Sequence, residues 1–158
     1  MASPTVKNWT TSRSTTTNVT SWSPTLGAHA AGDLLVVWVA ADGNPALSAS
    51  AGWDKAGQDA NSTVVAGALF SKVAQSAAET LMITSSAAEQ FSAVCAVIDE
   101  ADAGIAHAVF ANGSSANSNP PANAPPAGLR DYLWLVFRAG DSTVQSTAAP
   151  AGYSNHTS

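Results

Sequence analysis

The side chains of this 158-residue chain that could do chemistry are few: three histidines, one cysteine and 11 acidic residues. His29, His107 and His156 fall on three separate expected loops or strand ends. None is spaced so that two ligands share a face. A catalytic or metal-bound imidazole needs such company, so each reads as a surface histidine. Cys95 lies in the apolar run 91–98 and reads as a buried, inert thiol; being single, it excludes an internal disulfide and a multi-cysteine zinc site. Two acidic turns, Asp42-Gly43-Asn44 and the group Asp99, Glu100 and Asp102, could offer oxygens to calcium. Neither follows the EF-hand spacing, and ordinary Asx turns are expected. Asp99-Glu100-Ala101-Asp102 spells a helicase box without any phosphate-cradling GxxxxGK[ST] loop beside it. GxSxG and GxGxxG turns are missing too. A carboxylate pair for glycoside hydrolysis would have to come from the same turn-borne acids. The expectation is a protein without catalytic residues, cofactor or metal.

Aromatic residues are the better candidates for contact. Trp9, Trp22, Trp53 and Tyr153 stand near expected strand ends or turns, where an aromatic ring can anchor a partner or stack on a sugar. Trp53 and Tyr153 read as closing the ends of the core, and Trp9, in a Ser/Thr-rich stretch, as an intermolecular anchor. The paired prolines Pro120-Pro121 and Pro125-Pro126 lie in residues 111–128, which hold no large apolar side chain. They prevent ladder pairing, favour an exposed extended loop and lose little entropy on docking. Trp9, Trp22, Pro120, Pro121, Pro125 and Pro126 form the expected partner-binding set.

Composition narrows the classes further. Charged residues make up 11% of the chain and the net charge is -5. Lys7, Arg13, Lys55, Lys72, Arg130 and Arg138 are too scattered to neutralise a run of phosphates, so nucleic acid is not an expected partner. No apolar run approaches the ~20 residues of a helical membrane span, and no membrane partner is expected. The opening MASPTVKNWTTSR has no apolar signal core, which points to synthesis in a cytoplasm.

The elements that must carry these residues read as strands. The run 34–41, LLVVWVAA, is stopped by Asp-Gly-Asn-Pro and reads as a buried strand ending in a turn. Residues 5–11, 16–23, 52–57, 63–73, 80–85 and 90–98 are further strand candidates at the spacing of all-β domains. AQSAAE, 74–79, is too short for a stable helix and reads as a turn. The fold expected is all-β: one antiparallel, jelly-roll-like β-sandwich over 15–158, with a Thr-rich N-terminal arm at 1–14. Leu35, Val37, Val39, Val65, Phe91, Val94, Leu133, Leu135 and Phe137 are its expected core.

The chain also repeats itself. In GDLLVVWVAADG and RDYLWLVFRAGD, Asp33 falls on Asp131, Leu35 on Leu133, Val37 on Leu135 and Val39 on Phe137. SAGWDKAG around Trp53 then matches PAGYSNHT around Tyr153. Segments 32–57 and 130–155 are therefore expected to give each sheet a similar central strand. The second copy stops soon after Tyr153, so the last sheet is expected to be incomplete, with an unpaired edge that seeks partners.

The run TTTNVTSWSPTLGAHAAGDLLVVWVAADGNP, then AGWDKAG, VVAGALFSKVA and TLMITSSAAEQFSAVCAVI, resembles β-sandwich domains of bacteriophage and prophage structural proteins. It covers residues 15–98 and again 130–153. The resemblance implies a virion component with no catalytic residues. Its first form is a decoration or cement protein on the capsid surface, made in the host cytoplasm. Such a protein would bind the major capsid protein and copies of itself in a homo-oligomer such as a trimer. The alternative is a tail or fibre module that recognises a bacterial surface glycan through rim aromatics; a small hydrolase is a weaker third reading.

Overall fold

Short apolar runs broken by Gly, Pro, Asn and Asp turns give β-structure along the chain. The computed structural model describes residues 3–14, 17–99, 101, 108–111 and 132–139. Among them are eight strands and no helix: β1 (Thr5–Arg13), β2 (Val19–Trp22), β3 (Leu34–Asp42), β4 (Leu47–Ala49), β5 (Asp54–Asn61), β6 (Val65–Val73), β7 (Ile83–Glu89) and β8 (Phe91–Asp99). They form a five-stranded sheet in the order β1-β8-β3-β6-β5 and a three-stranded sheet in the order β2-β7-β4. Every pairing is antiparallel. The all-β, two-sheet expectation holds.

β3 shows why a strand can read as a continuous apolar run. It lies between β8 and β6, and both of its faces are covered. Leu35, Val37, Val39 and Ala41 face inward, with Ala68 and Phe70 of β6 and Phe91, Ala93, Cys95 and Val97 of β8. Leu47 of β4 and Ile83 of β7 meet them from the smaller sheet. Cys95 is buried there as expected, and burial pushes its thiol up. The alternate residues Leu34, Val36, Leu69, Ala96 and Ile98 form a second apolar cluster on the outer face.

Parity corrects part of the expected core. Leu35, Val37, Val39 and Phe91 are inner-core residues. Val94 stands opposite Trp38, and Val65 opposite Asp42, so both take outward positions and are only half-buried. Leu133, Leu135 and Phe137 are also half-buried, against the outer cluster rather than in the sandwich interior. Residues 133–139 alternate half-buried and exposed side chains, and 132–139 belong to no strand. The middle strand of the smaller sheet is β7, so 132–139 does not supply the counterpart of β3 that the repeat suggested. The rest of the second repeat copy lies outside the described residues.

The stretch 1–14, expected as an arm with a strand candidate at 5–11, is an edge strand over Thr5–Arg13. Its backbone pairs with β8 from Thr5 opposite Asp99 to Arg13 opposite Ser92, with a bulge between Val6 and Asn8. Main-chain bonds attach an edge strand even where apolar side chains are few, which is why apolar content alone pointed elsewhere. The turn at 74–79 is as expected, and Gln75 N–H donates to Glu79 Oε1 at 2.8 Å. At the β3 end, Asp42 Oδ1 accepts the N–H of the next residue, Gly43, at 2.9 Å, a contact one residue short of the expected Asx turn, with Gly43 at φ 69°.

Candidate interaction surface

The outer face of the five-stranded sheet holds four aromatic side chains in one row. Phe110 stacks on Trp38 at 6.1 Å, Trp38 on Phe137 at 6.1 Å, and Trp9 meets Phe137 edge-on at 6.0 Å. The row crosses the sheet from the β5 side to β1. Two glycines make room for it. A Cβ on Gly67 would collide with the Trp38 indole, and one on Gly57 would come within 2.5 Å of Phe110 Cε2. Glycine in a strand interior weakens the strand, and here it lets a ring lie flat against the backbone. Among the described residues, the buried Trp38 Nε1 has no hydrogen-bond partner.

Residues 108–110 and 132–139 cover this row. Leu133, Leu135 and Phe137 point down onto the sheet. Their alternates point away: Trp134 is 42% exposed and Val136 37%. Tyr132 lies 6.3 Å from Trp134 at a tilt of 41°. The result is an apolar, aromatic strip on the outside of the cover. An exposed strip of this kind is what a protein partner or a sugar ring would meet.

Of the expected contact residues, Trp9 is 38% exposed and is tied on one edge by Phe137. Trp22 is half-buried, stacked on Phe91 at 5.9 Å and packed against the inner core. Trp53 is buried and its Nε1–H donates to Thr80 O at 3.0 Å, closing the core end as expected. Pro120, Pro121, Pro125, Pro126 and Tyr153 lie outside the described residues, as do His107 and His156. Trp134 and Val136 escaped the sequence reading because they sit in an apolar run of which only Leu133, Leu135 and Phe137 were given a role. Period-two alternation against Leu133, Leu135 and Phe137 was the signal that could have singled them out.

The polar chemistry gathers elsewhere, at the side of the sandwich where β1, β3 and β6 come near the 23–33 segment. Lys7 Nζ pairs with Asp33, 3.0 Å from each carboxylate oxygen, and Ala30 N–H donates to Asp33 Oδ2 at 2.8 Å. Burial pushes the Asp33 carboxyl up, but the Ala30 amide, the Lys7 ammonium and nearby His29 outweigh it and hold the group below the ordinary value of 3.8. Lys72 pairs with Glu79 at 2.5 Å and, with the Gln75 amide, holds that carboxyl low as well. His29 Nδ1 lies 2.6 Å from Gly27 O, and Glu79 N–H reaches His29 Nε2 at 3.3 Å. These groups saturate one another. Among the described residues, no three His, Cys, Asp or Glu side chains are grouped to hold a metal ion.

No protein-family model, no curated protein and no solved structure matches this chain.

Proposed function

We propose that this protein is a structural virion component of the capsid-decoration type, binding the major capsid protein and copies of itself on the head surface. The observation that carries the reading is the pair of outward side chains Trp134 and Val136 on the cover of the aromatic row, with the exposed Trp9 against Phe137 of the same segment. Exposed aromatic anchors dominate the energy of small interfaces, and a lattice of neighbours multiplies modest contacts through effective concentration. The phage-like sequence pattern supports the same reading, as do the low charge and alanine-rich faces. Trp9 and the proline pairs Pro120-Pro121 and Pro125-Pro126 belong to the proposed contact set.

The test is co-sedimentation of the full chain with purified phage heads and tails, with immunogold localisation on particles. Binding to heads, reduced by Trp134→Ala, is the expected result; binding to neither, or to tails alone, overturns it. The tilted Tyr132–Trp134 pair also suits a sugar face, which favours the tail-borne glycan reading as the alternative. Label at the tail tip, with retention on bacterial surface glycan that Trp134→Ala abolishes, would select it.

A further inference from the structure

β1 is one edge of the five-stranded sheet, and among the described residues no strand lies beyond it. One bond fixes the direction of its main-chain groups: Ser14 N–H donates to Phe91 O at 2.8 Å, so Ser14 faces β8. Successive strand residues turn their N–H and C=O to opposite sides. Ser12 and Thr10 therefore face β8 as well, while Arg13, Thr11 and Trp9 aim theirs at the open edge. The side chains of Trp9, Thr11 and Arg13 are also exposed, on the outer face of the sheet. Edges are commonly kept from pairing by bulges, prolines and lysines. β1 has its bulge and Lys7 between Val6 and Asn8, and none of these devices stands between Trp9 and Arg13. The opposite edge, β5, differs. It carries Asp54, Lys55 and Asp59, a bulge between Lys55 and Gly57, and Phe110 against Gly57.

We propose that the stretch from Trp9 to Arg13 is a self-association edge, which takes the same stretch of a second copy of this chain, antiparallel about a two-fold axis at Thr11. In that register Thr11 faces Thr11 of the second copy, and each Trp9 faces the other copy's Arg13. All three are hydrogen-bonding positions, and each such pair exchanges two bonds, so the open N–H and C=O groups of Trp9, Thr11 and Arg13 are satisfied together. The side chains agree with the register. Each Arg13 guanidinium comes opposite a Trp9 indole, a cation–π pair made twice, and no like charges face each other. Phe137 meets Trp9 on one edge, which leaves the ring 38% exposed. A two-fold axis at Trp9 would instead draw Lys7 and the bulge into the new ladder. The 23–29 segment is tied to β1 from below, with Asn8 Nδ2 donating to Ala28 O at 2.8 Å and Thr25 N–H to Ser12 Oγ at 3.1 Å. A Cβ on Gly27 would touch both Asn8 and Val97 of β8, so at that point the segment lies beneath the sheet and not in the path of an added strand.

This contact gives the self-association of the proposed function a place on the fold. It is read in solution without particles, so its failure and a failure to bind heads are separate results. The test is sedimentation velocity on the full chain from about 5 µM to about 1 mM, a span suited to a short edge contact of modest affinity. A reversible monomer–dimer equilibrium is expected. Thr11→Lys sets two ammonium groups opposite each other at the axis and should weaken dimerisation about fivefold. The monomer should keep its melting temperature, because Thr11 is exposed, and Trp134→Ala should leave dimerisation unchanged. Thr11→Cys should cross-link the copies under mild oxidation, since the Cα atoms of a hydrogen-bonded pair stand about 5.5 Å apart, within disulfide range. Thr5→Cys, on the same exposed face but outside the paired stretch, should not, and the native Cys95 is buried away from the reaction. A chain that stays monomeric through the series, or that forms trimers, would overturn the proposal. So would a dimer that Thr11→Lys leaves intact, one that Trp134→Ala dissolves, or equal cross-linking at positions 5 and 11.

Discussion

On β3, Leu35, Val37 and Val39 are fully buried between two sheets that are both hydrogen-bonded networks. One residue away, Leu34, Val36 and Trp38 face the opposite direction, toward a cover that forms no strand. The inner face is a closed sandwich core. The outer face is an aromatic layer whose lid residues remain half-buried. One sheet thus carries two apolar surfaces that differ in how they are covered: the first by ladders on both sides, the second by side chains alone. An alternating strand with one wet face would need no such lid. The apolar outer face creates the need, and the lid in turn presents Trp134 and Val136 to solvent.

The sharpest way to break this contrast is truncation on each face. Phe70→Ala or Leu35→Ala on the inner face should cost about 3–5 kcal/mol in urea unfolding, the range for large buried side chains. An unchanged melting temperature for either would disprove the inner-core assignment. Phe137→Ala removes a ring that lies between Trp38 and Trp9 but is half exposed, so a loss of about 1–3 kcal/mol is expected, together with a shift in tryptophan emission. A loss as large as that of Phe70→Ala would mean that the outer face is as closed as the inner one. Gly67→Ala probes the same layer from beneath. The added methyl must displace the Trp38 ring, at about 1–3 kcal/mol, with fluorescence changing while the inner core persists.

The Lys7–Asp33 pair gives a smaller, pH-dependent effect that belongs to neither face. Asp33 is held below 3.8 in the folded state, so its stabilising contribution is complete above that value. It falls away as pH drops below 3.8 through the folded value. Asp33→Asn should therefore cost about 1–2 kcal/mol near neutrality, and the difference from the native chain should vanish in strong acid. A difference that stays constant down to pH 2 would show that the charge on Asp33 is not what matters. Smallest of all in the isolated protein is Trp134→Ala. An exposed residue off the core should change stability by no more than about 0.5 kcal/mol, and a larger loss would place Trp134 in the cover's packing rather than on its outside.

Much of this architecture is legible in the residues. Seven of the eight strands were expected near their observed positions, and for β3, β6 and β8 apolar runs bounded by turn or small polar residues place the ends to within two residues. β4 was not, since Leu47–Ala49 has only three residues and one buried side chain, too little for any period to show. β7 runs on to Glu89 through two alanines, held by β2 and β4 rather than by its own side chains. The contact surface was only half legible. Trp9 stood out by its polar surroundings, but Trp134 lay inside an apolar run where only its alternation with Leu133, Leu135 and Phe137 marks it as outward. The polar cluster around His29 was hidden for a different reason: Lys7, His29, Asp33, Lys72 and Glu79 are brought together by the strand order β1-β8-β3-β6, which no local spacing encodes.

The pairing of β1 with β8 has a consequence in time. Thr5 finds its partner in Asp99 across 94 residues of sequence. At a synthesis rate of about 5–20 residues per second, the first strand waits roughly 5–20 seconds for its partner to be made. In that interval β3, β5 and β6 can already assemble, joined by antiparallel neighbours much closer in sequence. Pairings of high sequence separation are also the slow ones in refolding. The earliest strand to leave the ribosome is thus a late strand to join the sheet.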